Sequence, residues 1–139
     1  MQDYAIIRTL WVFSFDRDVK NFAYRLMKSL RAGQPVDVPD DQLGNPTHAR
    51  DVAKATVRLA EEGGNGIFHV VGDYTMNKHE FALKIARKLG LDEKLVRPVK
   101  TVLGPGIAPR PVNAGMTGIK MLGVEDAIDK YDGVLLGEG

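Results

Sequence analysis

Tyr4-Ala5-Ile6-Ile7-Arg8-Thr9 is the stretch on which the reading of the fold turns. It is short, β-branched and almost continuously apolar, the pattern of a strand in a parallel sheet covered on both faces. A parallel strand needs neighbours, and none precedes this one. The chain therefore reads as part of a larger sheet.

Downstream, Val19, Phe22, Ala23, Leu26, Met27 and Leu30 fall on one face of a helix expected over 18–30, with Gly33 as its stop. Val36-Asp37-Val38 is a short extended piece. The stretch from Pro39 to Pro46 is turn-rich and reads as a loop. A second helix is expected from Ala49 to Glu62, capped by Thr47 and ended by Gly63-Gly64. Gly66 to Gly72 is the next strand. Asn77 and Glu80 have capping-box spacing ahead of a third helix, with Phe81, Ala82, Ile85, Ala86 and Leu89 on one face and Gly90 at its end. One helical turn is expected over 92–96 and an extended piece over 97–102. Residues 103–115 hold three prolines and three glycines and read as irregular; a last amphipathic helix spans about 125–131. Strands alternating with helices make the class α/β.

The composition narrows the function. The chain has 139 residues, with 19 Lys and Arg against 18 Asp and Glu and a formal charge of +1. That balance argues against a strongly basic nucleic-acid binder. At 44% hydrophobic residues a packed core is available. The absence of cysteine excludes disulfides and thiolate chemistry and suits a reducing compartment, so a cytoplasmic location is expected. No apolar run approaches the ~20 residues of a membrane span, and no signal peptide is visible at Met1. His48, His69 and His79 are too far apart for a local metal motif, so no metal is expected.

Few motifs carry chemistry. Gly104-Pro105-Gly106 opens no helix and reads as a turn, not a phosphate loop. Ser14 and Ser29 sit in no nucleophile elbow. The acidic pairs Asp40-Asp41, Glu61-Glu62, Asp92-Glu93 and Glu125-Asp126 read as surface charge. Trp11, the single tryptophan, follows the first strand. Ligands of open α/β sheets bind beyond the carboxyl ends of strands. An aromatic there either stacks on a sugar or base or caps the core. Arg110, between Pro109 and Pro111, is either a guanidinium held for a diphosphate or a solvated side chain.

Taken in order, several segments are more specific than any one of them. Arg8-Thr9-Leu10-Trp11-Val12-Phe13, Asn21-Phe22, Asp41-Gln42-Leu43-Gly44-Asn45-Pro46-Thr47, Gly66 to Gly72, Glu80-Phe81-Ala82 and Arg110-Pro111 follow one another with characteristic gaps. This set resembles the C-terminal half of the dTDP-4-dehydrorhamnose reductases, a branch of the extended short-chain dehydrogenase/reductases that act on nucleotide sugars. The resemblance covers residues 4–123, leaving 124–139 as a short helix and tail. It implies a late Rossmann strand followed by a small mixed α/β substrate-binding domain.

It also implies a function. Such enzymes reduce the 4-keto group of a dTDP-linked deoxysugar with NADPH or NADH, using an N-terminal glycine-rich loop and a Tyr-x-x-x-Lys motif. Neither is found here. Tyr24/Lys28 and Tyr74/Lys78 match the bare spacing but fall after the family's catalytic position, so no catalytic residue is assigned. The substrate-site candidates carried by the resemblance are Trp11, Asn21 and Arg110, with Gln42 and Thr47 as loop contacts or loop supports. Leu10 departs from the family's small hydroxyl residue, and Gly115-Met116-Thr117 replaces a more polar segment. The chain alone is expected to be inactive and to bind no cofactor. Its expected partners are a dTDP-sugar and either an N-terminal Rossmann half or a second copy paired through the first strand. Two other readings stand beside this one: a non-catalytic interaction module derived from the same family, and part of another nucleotide-sugar epimerase or dehydratase.

Overall fold

The computed structural model describes residues 4–15, 21–102, 105–106 and 118–133. In chain order the first half holds β1 (Ala5–Arg8), β2 (Val12–Phe13), α1 (Phe22–Arg31), β3 (Val36–Pro39), β4 (Leu43–Gly44), β5 (Thr47–His48) and α2 (Ala49–Glu61). The second half holds β6 (Gly66–Gly72), β7 (Met76–Asn77), α3 (Lys78–Leu89), a 3-10 turn (Glu93–Leu95), β8 (Val96–Val99), β9 (Ile119–Met121) and α4 (Val124–Tyr131).

β6 is the centre of a three-stranded sheet. β1 lies parallel on one side, from Ala5 opposite Gly66 to Arg8 opposite His69, and β9 lies parallel on the other, with Val70 opposite Ile119. β3 pairs parallel with β8 over four residues, and two shorter pairs complete the strands: β2 with β5, parallel, and β4 with β7, antiparallel. The turn-rich stretch read as a loop thus carries two ladder segments, β4 and β5. Two-residue strands have no periodicity of their own, which hides them in a sequence.

The expectation for the first strand needs correction. Alternation along a strand sends Ala5 and Ile7 to one face and Ile6 to the other. Ala5 and Ile7 share a groove with Leu59 and Ala60 of α2. On the opposite face Ile6 is 44% exposed, and Ile67, its neighbour in register, is 54% exposed. Neither face of the strand is closed: towards α2 Ala5 is exposed and Ile7 half-buried at the groove, and the other face is open at Ile6.

Helix ends follow local chemistry. Asn21 caps α1 at Phe22 by accepting from the Tyr24 N–H; Asp18 and Val19, the expected start of the helix, lie outside the described residues. α2 is capped by His48, not by the expected Thr47: the Thr47 hydroxyl is committed elsewhere, while His48 Nδ1 accepts from the Arg50 N–H at 3.1 Å. Asn77 caps α3 as expected, accepting from the Glu80 N–H at 2.8 Å, and Gly90 closes it in the left-handed conformation. α1, α3 and α4 enclose one core with Phe13, Leu26, Val38, Phe81, Ile85 and Ile128 among its members. Burial on this scale stabilises by roughly 1.5–3 kcal/mol for each large apolar side chain. No helix among the described residues is long and apolar enough to cross a membrane.

Candidate functional site

β1 and β6 run parallel, so their carboxyl ends open on the same side. Trp11 stands just beyond the end of β1. Its φ of +45° makes it the only non-glycine residue with positive φ among the described residues. Such a conformation costs about 1–3 kcal/mol and persists where the surroundings over-determine it. Here the Thr47 N–H donates to the Trp11 carbonyl at 3.2 Å, and the β2–β5 ladder begins at the next residue.

The loop from Gln42 to Thr47 crosses the end of β6. The Gly72 N–H donates to the Thr47 hydroxyl at 3.1 Å, which in turn donates to the Asn45 carbonyl at 3.0 Å. Asn45 Nδ2 donates to the Gly72 carbonyl and to the Thr75 hydroxyl, both at 3.2 Å. Asn45 and Thr47 are fully buried, so each hydrogen bond made here spares a desolvation cost of about 1–3 kcal/mol. At the other end of the loop Gln42 Nε2 donates to the Thr101 hydroxyl at 2.9 Å. Beside it the Thr101 hydroxyl and N–H donate to Asp41, which holds that carboxyl below its ordinary range.

Against this frame sits a hollow of about 70 Å³, lined by Trp11, Val12, Phe13, Phe22, Lys78 and Phe81. Phe81 anchors the aromatic wall, with ring centroids 5.2 Å from Phe13, 5.7 Å from Phe22 and 6.3 Å from Trp11. The Lys78 ammonium lies 4.7 Å from the Phe22 centroid and 5.9 Å from that of Trp11. An aromatic wall with one cation at it suits a ligand that has an apolar or planar face and a nearby negative charge.

The sequence candidates fall into place unevenly. Trp11 lines the hollow. Asn21 is one residue from the lining Phe22, and its amide is engaged on both sides: Oδ1 accepts from the Tyr24 N–H and Nδ2 donates to the Ser14 carbonyl at 3.0 Å. Gln42 and Thr47 hold the loop by the bonds described above. Arg110 lies outside the described residues. Neither Tyr24 nor Tyr74 lines the hollow, whereas Lys78 does. Phe22 and Phe81 were legible only as core residues, and no local pattern brings them to Trp11.

A second polar cluster lies where β5, α2 and α4 meet. His48 Nε2 is 2.7 Å from Asp132 Oδ2, with the two side chains 0% and 2% exposed. Tyr131 stacks on His48 at 4.7 Å and donates its hydroxyl to Asp51. Burial and the Asp51 carboxylate push the Tyr131 phenol up to about 12. The His48–Asp132 pair resembles a general-base dyad in outline, but it is sealed from solvent, so no substrate reaches it. Among the described residues no group of three His, Cys, Asp or Glu side chains could hold a metal ion.

Comparison with known proteins gives a consistent picture. Residues 1–128 match the family model described as RmlD substrate binding domain. A dTDP-4-dehydrorhamnose reductase of Mycobacterium tuberculosis is 36% identical over 108 residues, covering 76% of this chain and 35% of that protein. A dTDP-4-keto-6-deoxy-D-glucose reductase of Streptomyces niveus is 34% identical over 110 residues, covering 78% and 38%. Among solved structures, a dTDP-4-dehydrorhamnose reductase of Clostridium acetobutylicum superposes with a TM-score of 0.82 at 26% identity, over 95% of this chain and 49% of that one. The enzyme of Bacillus anthracis, solved in complex with NADP, shares the fold with a TM-score of 0.83 at 23% identity, over 94% and 48%. The chain thus spans a little over a third of the curated relatives and about half of the solved ones. By this match, and by a late parallel sheet that carries an aromatic site at its carboxyl end, the chain belongs to the RmlD substrate binding domain family.

Proposed function

We propose that this chain is the substrate-binding half of an NAD(P)H-dependent reductase of a dTDP-linked 4-keto-6-deoxysugar. The carrying observation is the aromatic hollow at Trp11, at the carboxyl end of a parallel strand in a chain of this family. A hexose presents apolar C–H faces that stack on an indole, and its diphosphate favours a nearby cation such as Lys78. Arg110, between its two prolines, is assigned to the diphosphate on the family resemblance alone. Asn21, which caps α1 beside the hollow, is assigned to the substrate site on the family resemblance. A cysteine-free chain fits work in the cytoplasm.

The described residues offer no cradle for a dinucleotide. Among the described residues no glycine-rich turn leads from a strand into a helix; Gly33, Gly63 and Gly90 lie at the ends of helices. No Tyr-Lys pair lines the hollow either. Cofactor binding and proton donation are therefore assigned to a separate Rossmann half. Trp11 is the only tryptophan, so its emission reports on this site alone. Titration with dTDP-rhamnose is expected to quench it, with weaker responses to UDP- and GDP-sugars. The chain by itself is expected to leave NADPH unoxidised in the presence of dTDP-4-dehydrorhamnose. Turnover by the isolated chain would overturn this assignment. Silence towards every nucleotide sugar, together with a stable protein partner, would favour the non-catalytic module instead.

A Rossmann half is assigned to the edge of β1. Among the described residues β1 has no strand on its outer edge, and Ile6 and Ile67 form an open apolar strip beside it. The Thr9 hydroxyl, at the end of β1, is the one buried side-chain polar atom without a hydrogen-bond partner among the described residues. Exposed parallel edges invite pairing. Without the Rossmann half, two copies are expected to associate through β1. Light scattering over a wide concentration range checks this, and a monomer throughout would count against it.

A further inference from the structure

We infer that Gly44 is a positioning residue for the ligand, because it is the seat of the Trp11 indole. The inference rests on the reading of the hollow as the sugar site. A Cβ placed on Gly44 would lie 2.6 Å from Trp11 Cε2, 2.8 Å from Cζ2 and 2.9 Å from Cδ2. Those are separations that carbon atoms do not adopt, so the indole rests directly on the Gly44 backbone.

Several features make the contact consequential. The Gly44 backbone is held in the β4–β7 ladder, where it pairs with Met76, so it has little freedom to retreat. The Trp11 backbone is held in turn by its bond from Thr47. What remains free to move is the ring. Trp11 both lines the hollow and rests on Gly44, so a shift of its ring reshapes the hollow. A methyl group at position 44 therefore displaces the indole and with it one wall of the hollow, which at about 70 Å³ has little room to lose. Phe81 limits sideways escape, with its ring centroid 6.3 Å away. The backbone of Gly44 is itself no obstacle to a side chain, since its φ lies outside the positive region. The requirement for glycine comes from the indole, not from the chain path.

The test compares Gly44→Ala in the native chain and in a Trp11→Ala background. A methyl side chain lacks every ring atom that meets position 44. In the native background Gly44→Ala is expected to shift the Trp11 emission maximum and raise its acrylamide quenching without any ligand. Its Kd for dTDP-rhamnose is expected to rise about tenfold, the equivalent of ~1.4 kcal/mol. In the Trp11→Ala background, adding Gly44→Ala is expected to lower neither the melting temperature nor the affinity for dTDP-rhamnose, read by calorimetric titration, any further. Unaltered emission in Gly44→Ala would overturn the inference, as would an equal loss of affinity or of melting temperature in both backgrounds. Should Gly44→Ala fail to fold, folding of the double variant supports the indole seat, and failure of both places the need for glycine in the ladder and overturns it. If the native chain ignores dTDP-rhamnose, the sugar-site reading falls, and the ligand-free emission still decides the seat.

Discussion

His48→Ala is expected to be among the most destabilising single substitutions, costing about 3–5 kcal/mol, the loss seen when one partner of a buried polar pair is removed. The hydrogen bonds assign the tautomer. Nδ1 accepts from the Arg50 N–H, so it carries no proton, and Nε2 therefore donates to Asp132. Removing the ring strips a carboxylate that is 2% exposed of its donor. It also removes the cap of α2, worth about 1 kcal/mol, and the ring contacts to Phe13 and Tyr131. Asp132→Ala is expected to be milder, about 1–3 kcal/mol, because it leaves a neutral N–H unsatisfied rather than a charge. Asp132→Asn keeps an acceptor and is expected to lose least. Denaturant midpoints at neutral pH give the ranking. Asp132→Ala proving worse than His48→Ala would contradict the assigned tautomer. Domains of this size are stable by only about 5–15 kcal/mol, so the loss is large on that scale.

Gly72→Ala is expected to cost about 3 kcal/mol or more, at the upper end for a forced overpacking. A Cβ at position 72 would lie 1.9 Å from the Pro46 carbonyl oxygen. Neither side can yield easily. The Gly72 N–H and carbonyl are bonded to Thr47 and Asn45, and Val71 and Gly72 lie in the central strand of the sheet. Pushing the loop away also moves Thr47, which holds the Trp11 carbonyl, so the hollow loses its shape together with the stability. A lower melting temperature and a shift in Trp11 emission are expected together. Gly90→Ala is the control: its φ is +68° and a Cβ there meets nothing within 4 Å, so only backbone strain of about 1–2 kcal/mol is expected. Equal losses in the two variants would show that the crossing at Pro46 is softer than its geometry implies.

These two positions also show where sequence reading stops. Gly72 ends an apolar strand and reads there as a simple terminator. Its need for glycine arises 26 residues away along the chain, at Pro46. His48 reads as an unremarkable neighbour of the expected cap Thr47, and its partner Asp132 lies 84 residues on. Gly44 reads as one turn residue among several. By contrast β6 was legible to the residue, as were the Asn77 cap with Glu80 and the single turn after Asp92, whose carboxylate accepts from the Lys94 N–H at 3.0 Å. The apolar faces of α1 and α3 were likewise legible, since Leu26, Met27, Leu30, Phe81, Ile85 and Ala86 are all buried.

The dividing line is the range of the physics. Caps, helix faces and an apolar strand depend on neighbours within a turn or two, so local spacing determined them, and the ordered motifs determined the family. The hollow is assembled from residues 11–13, 22, 78 and 81, and the loop over it is held by Gly72, Thr75 and Thr101. Those contacts depend on which chain crosses which, and only tertiary packing decides that. The same holds for β1: its composition announced a parallel strand, but its pairing with β6 and the exposure of Ala5 and Ile6 are decided by tertiary packing.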